Sequence, residues 1–217
     1  MSSDTFEKVY MENSWKKEKH QAYKTEEIDS SIKEFYGFLE EKEITGSVLD
    51  LGCGNGKNTI FFQKNGFEAT GIDFAKAAIT ICKDRAKKEG VKARFQVASV
   101  LSYQPKHKFD IVIDCGCLHH IRRSLWKAYR KTLLQSLKVG GYYYLHGISD
   151  CKQNKNLRRH PQKRNWMINK HGHYTTFLSF QDCKRLLGSS FRILRHYERK
   201  SEHSPLIIRI IYAKMVG

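Results

Sequence analysis

Long apolar runs and an export signal are both missing from this chain. Spanning the hydrocarbon core of a bilayer takes roughly 20 consecutive apolar residues, whereas the hydrophobic residues, 40% of 217, are spread along the sequence. Residues 1–19 are polar and charged, without the apolar stretch and small-residue cleavage site of a secretory signal. We therefore expect a soluble cytoplasmic protein that has no membrane partner.

Acidic residues are few compared with basic ones. Asp and Glu total 22 against 39 Lys and Arg, which leaves a formal net charge of +17. A positive field of this size attracts phosphates, nucleic acid, acidic membranes and anionic small molecules, and a solvated surface accounts for it equally well. Charge alone therefore selects none of these partners.

A disulfide framework is not expected either. The six cysteines are scattered, and without an export signal they are predicted to be reduced thiols. Cys115 and Cys117 stand close to His119 and His120, and Cys and His are zinc ligands, but the spacing C-x-C-x-H-H is not that of a usual closed zinc site. A covalent cysteine mechanism would need a thiolate beside a base pocket, and no Pro-Cys pair supports it. We predict no metal site.

Short apolar runs alternate with helical patterns from residue 47 to residue 214, which is typical of an α/β protein with a doubly wound, mostly parallel sheet. A polar turn joins the last two runs, so we expect an antiparallel C-terminal hairpin at one edge. The Gly140-Gly141 pair is expected to end a helix over 125–137 before the fifth strand. The length fits a single domain. The seven predicted strands are 48–51, 67–72, 93–98, 109–114, 142–145, 191–197 and 206–212.

Two segments depart from this pattern. Residues 1–46 are predicted to form an N-terminal helical cap before the main domain of residues 47–217. Residues 147–176 show little periodicity and carry seven Lys or Arg residues against the single acid Asp150. Loops of that length are uncommon inside domains unless they are functional or disordered, so we predict a basic loop that covers a substrate. The predicted buried stripe of the cap consists of Ile28, Ile32, Phe35, Phe38 and Leu39.

A glycine-rich segment joins the first predicted strand to the helix that follows it. Residues 48–56 read VLDLGCGNG, so three glycines stand at alternate positions, where they allow positive φ and close approach of a ligand to the backbone. The spacing G-x-G-x-G differs from the phosphate-binding G-x-G-x-x-G, and Asp50 stands two residues before the first glycine. A carboxylate there would repel a pyrophosphate but would accept a hydrogen bond from a cationic or amino-bearing ligand.

VLDLGCGNG, with GID at residues 71–73, resembles the class I S-adenosylmethionine-dependent methyltransferases, whose cofactor carries such an amino group. The resemblance continues through FDIVIDCGCLHHI at 109–121 and LKVGGYYYL at 137–145. Within it, DCGCLHHI is similar to bacterial small-molecule methyltransferases of the thiopurine and tellurite-resistance type. The resemblance implies a Rossmann-like fold, S-adenosylmethionine as cofactor, and methyl transfer to a sulfur, nitrogen or oxygen atom of a small molecule.

The resemblance also implies contacts for the methionine and ribose parts of the cofactor. Gly52 and Gly54 would line the methionine moiety, and Asp50 would bond its amino group through the loop or a water. Asp73, which closes the second strand, would take the ribose hydroxyls, because two hydroxyl donors need a bidentate acceptor. An N-cap of the following helix is the alternative role for Asp73.

At the adenine end the resemblance is less complete. Phe74 would stack near the adenine, but Ser99 stands where the family usually places an acid that bonds the adenine amine. The predicted cofactor-binding residues are Asp50, Gly52, Cys53, Gly54, Asp73, Phe74, Ser99, Val100 and Cys115.

The chemistry is predicted to take place after the fourth strand. Ligands of doubly wound sheets bind beyond the carboxyl ends of the strands, so residues 114–120 should face the transferred methyl group. His119 and His120 are the candidate catalytic residues, because imidazole titrates near neutral pH and can take a proton from a thiol, hydroxyl or ring nitrogen. A helix cap or a backbone anchor is the alternative role for either histidine.

Cations alternate with aromatic residues in the basic loop, as phosphate tracking and base stacking would require, and a solvated loop explains the same residues. The Asn/Asp-Pro-Pro-aromatic turn of nucleic-acid amino-methyltransferases is absent at residues 114–117. Three functions remain open: a small-molecule methyltransferase with an anionic or aromatic acceptor, a methyltransferase acting on RNA or protein, and a cofactor-binding module without catalysis. A monomer or homodimer is expected. The predicted acceptor-binding residues are Arg158, Arg159, Arg164, Trp166, His173 and Tyr174.

Overall fold

The computed structural model of this protein describes residues 27–151, 166–168, 174–202 and 204–217, with the backbone alone for 166–168. The helices of these ranges are α1 (Ser30–Glu40), α2 (Lys57–Lys64), α3 (Lys76–Lys88), α4 (Trp126–Ser136) and α5 (Phe180–Leu187), with 3-10 turns at Leu118–His120, Arg123–Leu125 and Gly188–Ser190. The strands are β1 (Ser47–Leu51), β2 (Glu68–Asp73), β3 (Arg94–Val97), β4 (Phe109–Cys115), β5 (Leu137–Ile148), β6 (Trp166–Ile168), β7 (Tyr174–Thr176), β8 (Phe191–Lys200) and β9 (Ile207–Met215). None of the helices in the described ranges is long and apolar enough to cross a membrane.

Seven of the described strands form one sheet in the order β3-β2-β1-β4-β5-β9-β8. Neighbours among β1 to β5 run parallel, while β9 pairs antiparallel with both β5 and β8. The prediction of a doubly wound, mostly parallel α/β sheet with a C-terminal antiparallel hairpin is confirmed. The strand order reverses between β1 and β4, and ligands of such sheets bind in the crevice at this switch point. The loops that follow β1 and β4 are therefore the first place to look for a site.

The two faces of the sheet bury different helices. An aromatic core joins α1 to one face, where the Phe35 ring centroid lies 5.0 Å from that of Tyr144 and 4.9 Å from that of Tyr212. On the other face, α4 and α5 share a core with Tyr143 of β5. The predicted stripe is confirmed within α1, because Ile32, Phe35, Phe38 and Leu39 are buried, and Ile28 just before it is half-buried. Residues 1–26 of the predicted cap lie outside the described ranges.

The Gly140-Gly141 pair does not end a helix, and this prediction is wrong. Helix α4 stops at Ser136, and Leu137 is already extended with φ −98° and ψ 138°, so both glycines lie inside β5. Gly140 has φ +83°, and the pairing of β4 with β5 shifts register at this point. A Cβ on Gly141 would lie 2.7 Å from the carbonyl oxygen of Asp110. The glycines therefore permit an irregularity in β5 and close approach of β4.

The segment predicted as a basic loop, residues 147–176, contains regular structure at both of its ends. β5 continues to Ile148, and β6 pairs antiparallel with β7 to form a separate two-stranded sheet. Strands of three residues are too short to produce a readable alternation, which explains why the sequence showed no pattern there. Residues 152–165 and 169–173 lie outside the described ranges.

Candidate active site

The glycine loop after β1 bends the chain into α2 and contacts the loop after β4. Gly52 has φ +69°, a backbone conformation that residues with a side chain rarely adopt. A Cβ at this position would lie 2.6 Å from Sγ of Cys117. The absence of a side chain at Gly52 therefore lets the two loops meet at the switch point of the sheet.

Asp73 ties the glycine loop to the end of β2. Its Oδ2 accepts a hydrogen bond from the backbone N–H of Gly54 at 3.1 Å, and its Oδ1 accepts one from the N–H of Ala75 at 2.9 Å. The N-cap residue of α3 is Ala75, so the alternative role of Asp73 as that N-cap is not borne out. A buried carboxylate in contact with the glycine loop is well placed to accept hydroxyl donors of a ligand.

Asp50 lies beneath the glycine loop rather than on its surface. Its side chain is 1% exposed, and its Oδ2 accepts a hydrogen bond from Oγ1 of Thr59 at 2.7 Å. Burial, together with the nearby carboxylates of Asp114 and Asp73, raises the pKa of Asp50 to about 7 despite the hydrogen bond from Thr59. These three acidic groups make the crevice favourable for a cationic ligand.

The remaining residues of the predicted cofactor set differ in exposure. Phe74 and Ser99 are half-buried and Val100 is buried. Oγ of Ser99 accepts a hydrogen bond from the N–H of Leu101 at 3.3 Å. Cys53 is buried with its Sγ 4.0 Å from Sγ of Cys82 in α3, so its thiol faces the helix beneath the loop. A ligand contact by Cys53 would therefore use its backbone.

Asp114 organises the loop after β4, a role that the sequence did not reveal. The carboxylate is fully buried and accepts hydrogen bonds from the N–H groups of Cys117 at 2.8 Å and Leu118 at 3.0 Å. The hydroxyl of Tyr129 donates a further bond at 2.7 Å. Burial raises the pKa of Asp114 to about 6, although these donors stabilise its ionised form. The sequence signal that could have revealed this role is an acidic residue at the end of a strand, directly before an irregular turn.

His119 and His120 lie side by side on the 3-10 turn that Asp114 supports, with ring centroids 4.3 Å apart. Nδ1 of His120 lies 3.0 Å from the carbonyl oxygen of Tyr174. Because a carbonyl only accepts, Nδ1 carries the proton and Nε2 is the basic nitrogen of this ring. Nδ1 of His119 is buried and has no hydrogen-bond partner among the described residues. Burial lowers the pKa of both imidazoles, that of His119 most strongly.

Only part of the predicted acceptor-binding set falls within the described structure. Tyr174 is buried in β7, and its backbone carbonyl oxygen contacts Nδ1 of His120 in the candidate site. Trp166 lies in β6, where the backbone alone is described. Arg158, Arg159, Arg164 and His173 lie outside the described ranges, and their roles remain predictions.

The sequence did not single out His146, which lies at the carboxyl end of β5. Its Nδ1 is 3.5 Å from Sγ of Cys115 on β4, the residue with which it pairs in the sheet. The predicted fifth strand ends at residue 145 and the predicted loop begins at residue 147, so His146 belongs to neither prediction. A histidine at the carboxyl end of a strand next to β4 was the signal that could have found it.

The segment from residue 48 to residue 141, which holds the glycine loop, Asp73 and both histidines, matches the family model described as a methyltransferase domain. These residues are a methyltransferase domain by sequence similarity. The chain is 27% identical over 112 residues to 2-heptyl-1-hydroxyquinolin-4(1H)-one methyltransferase of Mycobacteroides abscessus, a match over 51% of this chain and 49% of that one. The chain thus spans about half the length of that relative.

Two further comparisons agree with this result. The probable S-adenosyl-L-methionine-dependent methyltransferase TehB of Haemophilus influenzae is 23% identical over 95 residues, which cover 44% of this chain and 33% of TehB. The crystal structure of 1,6-didemethyltoxoflavin-N1-methyltransferase of Burkholderia thailandensis, with bound 1,6-didemethyltoxoflavin and S-adenosylhomocysteine, superposes with a TM-score of 0.78 at 16% identity and covers 97% of this chain and 87% of that one. These similarities agree with the predicted methyltransferase class and with S-adenosylmethionine as the cofactor.

The residues of the crevice fit this cofactor chemically. Its sulfonium and amino groups are cationic, and the carboxylates of Asp50, Asp73 and Asp114 supply negative charge at the switch point. Its ribose hydroxyls are donors, for which Asp73 at the end of β2 is an acceptor. The contacts of individual residues with the cofactor remain predictions from the sequence.

Proposed function

We propose that this methyltransferase moves the methyl group of S-adenosylmethionine to a nitrogen, oxygen or sulfur atom of a small molecule. The observation that carries the proposal is the position of His120, which is half-buried directly after β4 and held at Nδ1 by the carbonyl group of Tyr174. A neutral imidazole held in this way keeps its lone pair on Nε2, where it can accept a proton.

In this proposal the cofactor supplies an electrophilic methyl group on a sulfonium, which is open to in-line attack. The lone pair of the nucleophile forms the new bond to the methyl carbon as the carbon–sulfur bond breaks, and that electron pair stays on sulfur. The proton of the nucleophile passes to Nε2 of His120. His119, which packs against the ring of His120, holds that ring in place.

The similar proteins support a small, aromatic acceptor. By their names, two of them methylate 2-heptyl-1-hydroxyquinolin-4(1H)-one and 1,6-didemethyltoxoflavin. An anionic or aromatic acceptor also agrees with the predicted contacts to Arg158, Arg159 and Arg164. We further propose a cytoplasmic location and a monomeric or homodimeric state.

Transfer of labelled methyl groups tests the proposal directly. The protein is incubated with S-adenosylmethionine labelled in the methyl group and with separate pools of small metabolites, RNA and protein. We expect label in the small-molecule pool, and the two named heteroaromatic compounds serve as defined first acceptors. Label confined to RNA or protein would overturn the proposal in favour of a macromolecular acceptor, and no label in any pool would favour a cofactor-binding module.

A further inference from the structure

Strand β5 is partly exposed at one residue near its carboxyl end. From Gly141 to Ile148 every residue is buried except His146, which is half-buried. Its partner in the sheet, Cys115 at the end of β4, is also half-buried, and Sγ of Cys115 lies 3.5 Å from Nδ1 of His146. The pair therefore forms a partly exposed patch at the carboxyl ends of β4 and β5, here called the β5 notch.

Charged groups from two other elements lie beside the β5 notch. Asp29 caps α1 by accepting a hydrogen bond from the N–H of Ser31 at 2.9 Å. Lys57 begins α2 directly after the glycine loop, and its Nζ donates to the carbonyl oxygen of Glu27 at 2.8 Å. The negative charge of Asp29 and the positive charge of Lys57 both act on His146. The notch thus adjoins the helix that starts at the cofactor loop.

His119 lies beside the same end of β5, on the opposite face of the sheet from the ring of His146. Gly147 follows His146 in β5, and a Cβ at Gly147 would lie 3.7 Å from Nδ1 of His119. That nitrogen is buried and has no hydrogen-bond partner within the described ranges. Because successive side chains of a strand point to opposite faces of the sheet, His119 and the ring of His146 lie on the two faces of β5 at its carboxyl end, where ligands of doubly wound sheets bind.

We propose that His146 is an acceptor-binding residue, which hydrogen-bonds the methyl acceptor and, with the Cys115 thiol holding its ring, directs the nucleophile towards the cofactor. The inference rests on the proposed function. A neutral imidazole has one donor and one acceptor nitrogen, and contact of Nδ1 with the thiol leaves Nε2 as the nitrogen offered to a ligand. The acceptor class that this matches is a compound with a protic nitrogen or oxygen group next to the methylated atom.

Steady-state kinetics of two substitutions test the role of His146. The acceptor is the small-molecule fraction that the unchanged protein labels, with 2-heptyl-1-hydroxyquinolin-4(1H)-one as the defined probe. We expect His146→Ala to raise the KM for the acceptor at least about tenfold while the Kd for S-adenosylmethionine changes less than about twofold. His146→Gln, whose amide can donate or accept, should recover part of the loss. His107→Gln is the matched control, because His107 is exposed near the start of β4.

The outcomes separate this inference from the proposed function. If the unchanged protein labels no small molecule, the proposed function fails and the inference fails with it. If labelling occurs but His146→Ala and His146→Gln keep the parental KM and kcat, His146 does not bind the acceptor, although the proposed function stands. Should His146→Ala fold poorly, Cys115→Ala removes the thiol that holds the ring of His146, and an unchanged acceptor KM in both Cys115→Ala and His146→Gln would overturn the inference.

Discussion

At the residue scale, buried carboxylates set the charge that the crevice offers to a ligand. Asp50 and Asp114 are fully buried, and burial raises their pKa values to about 7 and about 6. Asp73 adds a third negative charge close to Asp50. Ionising all three carboxyl groups without a bound cation is unfavourable, because like charges repel strongly in a buried environment. A cationic ligand lowers this cost, so protonation of the carboxylates and cofactor binding should be linked.

The first prediction follows from this linkage. Lowering the pH from about 8 to about 5 passes through both raised pKa values, so the carboxyl groups gain protons and lose their attraction for the sulfonium. We expect S-adenosylmethionine to bind progressively more weakly over this range, measured by titration calorimetry. S-adenosylhomocysteine lacks the sulfonium charge and should lose less affinity. Equal losses for the two ligands would show that the carboxylates do not act on the sulfonium.

The second prediction concerns Asp73. Loss of a charge-assisted hydrogen bond costs about 1.5 to 3 kcal/mol, roughly tenfold to over a hundredfold in affinity. Asp73→Ala should therefore weaken S-adenosylmethionine binding by that factor in calorimetry. Asp73→Asn keeps an oxygen for the N–H of Gly54 and separates loss of charge from loss of loop support. Asp84→Ala, at an exposed position of α3, is the control. Parental affinity in Asp73→Ala would exclude the ribose assignment.

The third prediction concerns proton transfer. General-base help is typically worth about a hundredfold to ten-thousandfold in rate, so His120→Ala should lower kcat by such a factor while the Kd for the cofactor stays nearly unchanged. Burial lowers the pKa of His120 below its ordinary value, so kcat at saturating cofactor should fall only as the pH drops below about 6.5. His119→Ala should have the smaller effect. Full turnover by both variants between about pH 6 and pH 9 would mean that neither histidine is the base.

At the scale of elements, α5 holds the histidine turn in place through a side-chain network. Arg123, which follows that turn, donates to both carboxylate oxygens of Asp182 in α5, with 2.7 Å from Nη2 to Oδ2. Burial raises the pKa of Asp182, but hydrogen bonds from Arg123 and Ser179 outweigh burial and hold it well below its usual value. The pair thus stabilises the fold above the ordinary pKa of an aspartate, and this contribution is lost as the pH falls.

The fourth prediction tests the start of α5. Oγ of Ser179 accepts from the N–H of Asp182 at 2.9 Å, and Oδ2 of Asp182 accepts from the N–H of Ser179 at 3.1 Å, which forms a capping box. Ser179→Ala should lower the free energy of unfolding by about 1 kcal/mol in denaturant titrations. Ser102→Ala, at an exposed turn, is the control and should change it little. Equal stability of the two variants would show that the cap contributes nothing.

At the scale of the whole molecule, the net charge of +17 distinguishes a small acceptor from a polyanion. Binding a nucleic acid releases many counterions, so its affinity falls steeply with salt, whereas a small acceptor meets few charges. As the fifth prediction, kcat/KM for a small acceptor should change less than about threefold between roughly 50 and 200 mM salt, and RNA should not bind measurably at physiological salt. Salt-sensitive RNA binding that Arg158→Ala and Arg164→Ala weaken would support the RNA alternative instead.

Most of the fold could be predicted, because local patterns control it. The alternation of apolar runs with helical stripes and the hydrophobic stripe of α1 depend on neighbours a few residues away, and both are present in the structure. The helix end predicted at Gly140 is wrong, because glycine is equally suited to a helix end and to an irregular strand. The pairing of β5 with β4 decided between these two roles.

For the site, the sequence alone determined the glycine loop, the acid at the end of β2 and the histidines after β4, because each motif is a short segment at or just beyond the end of a strand. It could not supply the partners that these groups acquire from distant segments. The Tyr174 carbonyl that assigns the tautomer of His120 is 54 positions away, and Cys115 is 31 positions from His146. Parallel pairing between β4 and β5 and the return of β7 create these contacts. Only the tertiary structure could therefore decide which nitrogen is basic and where the crevice opens.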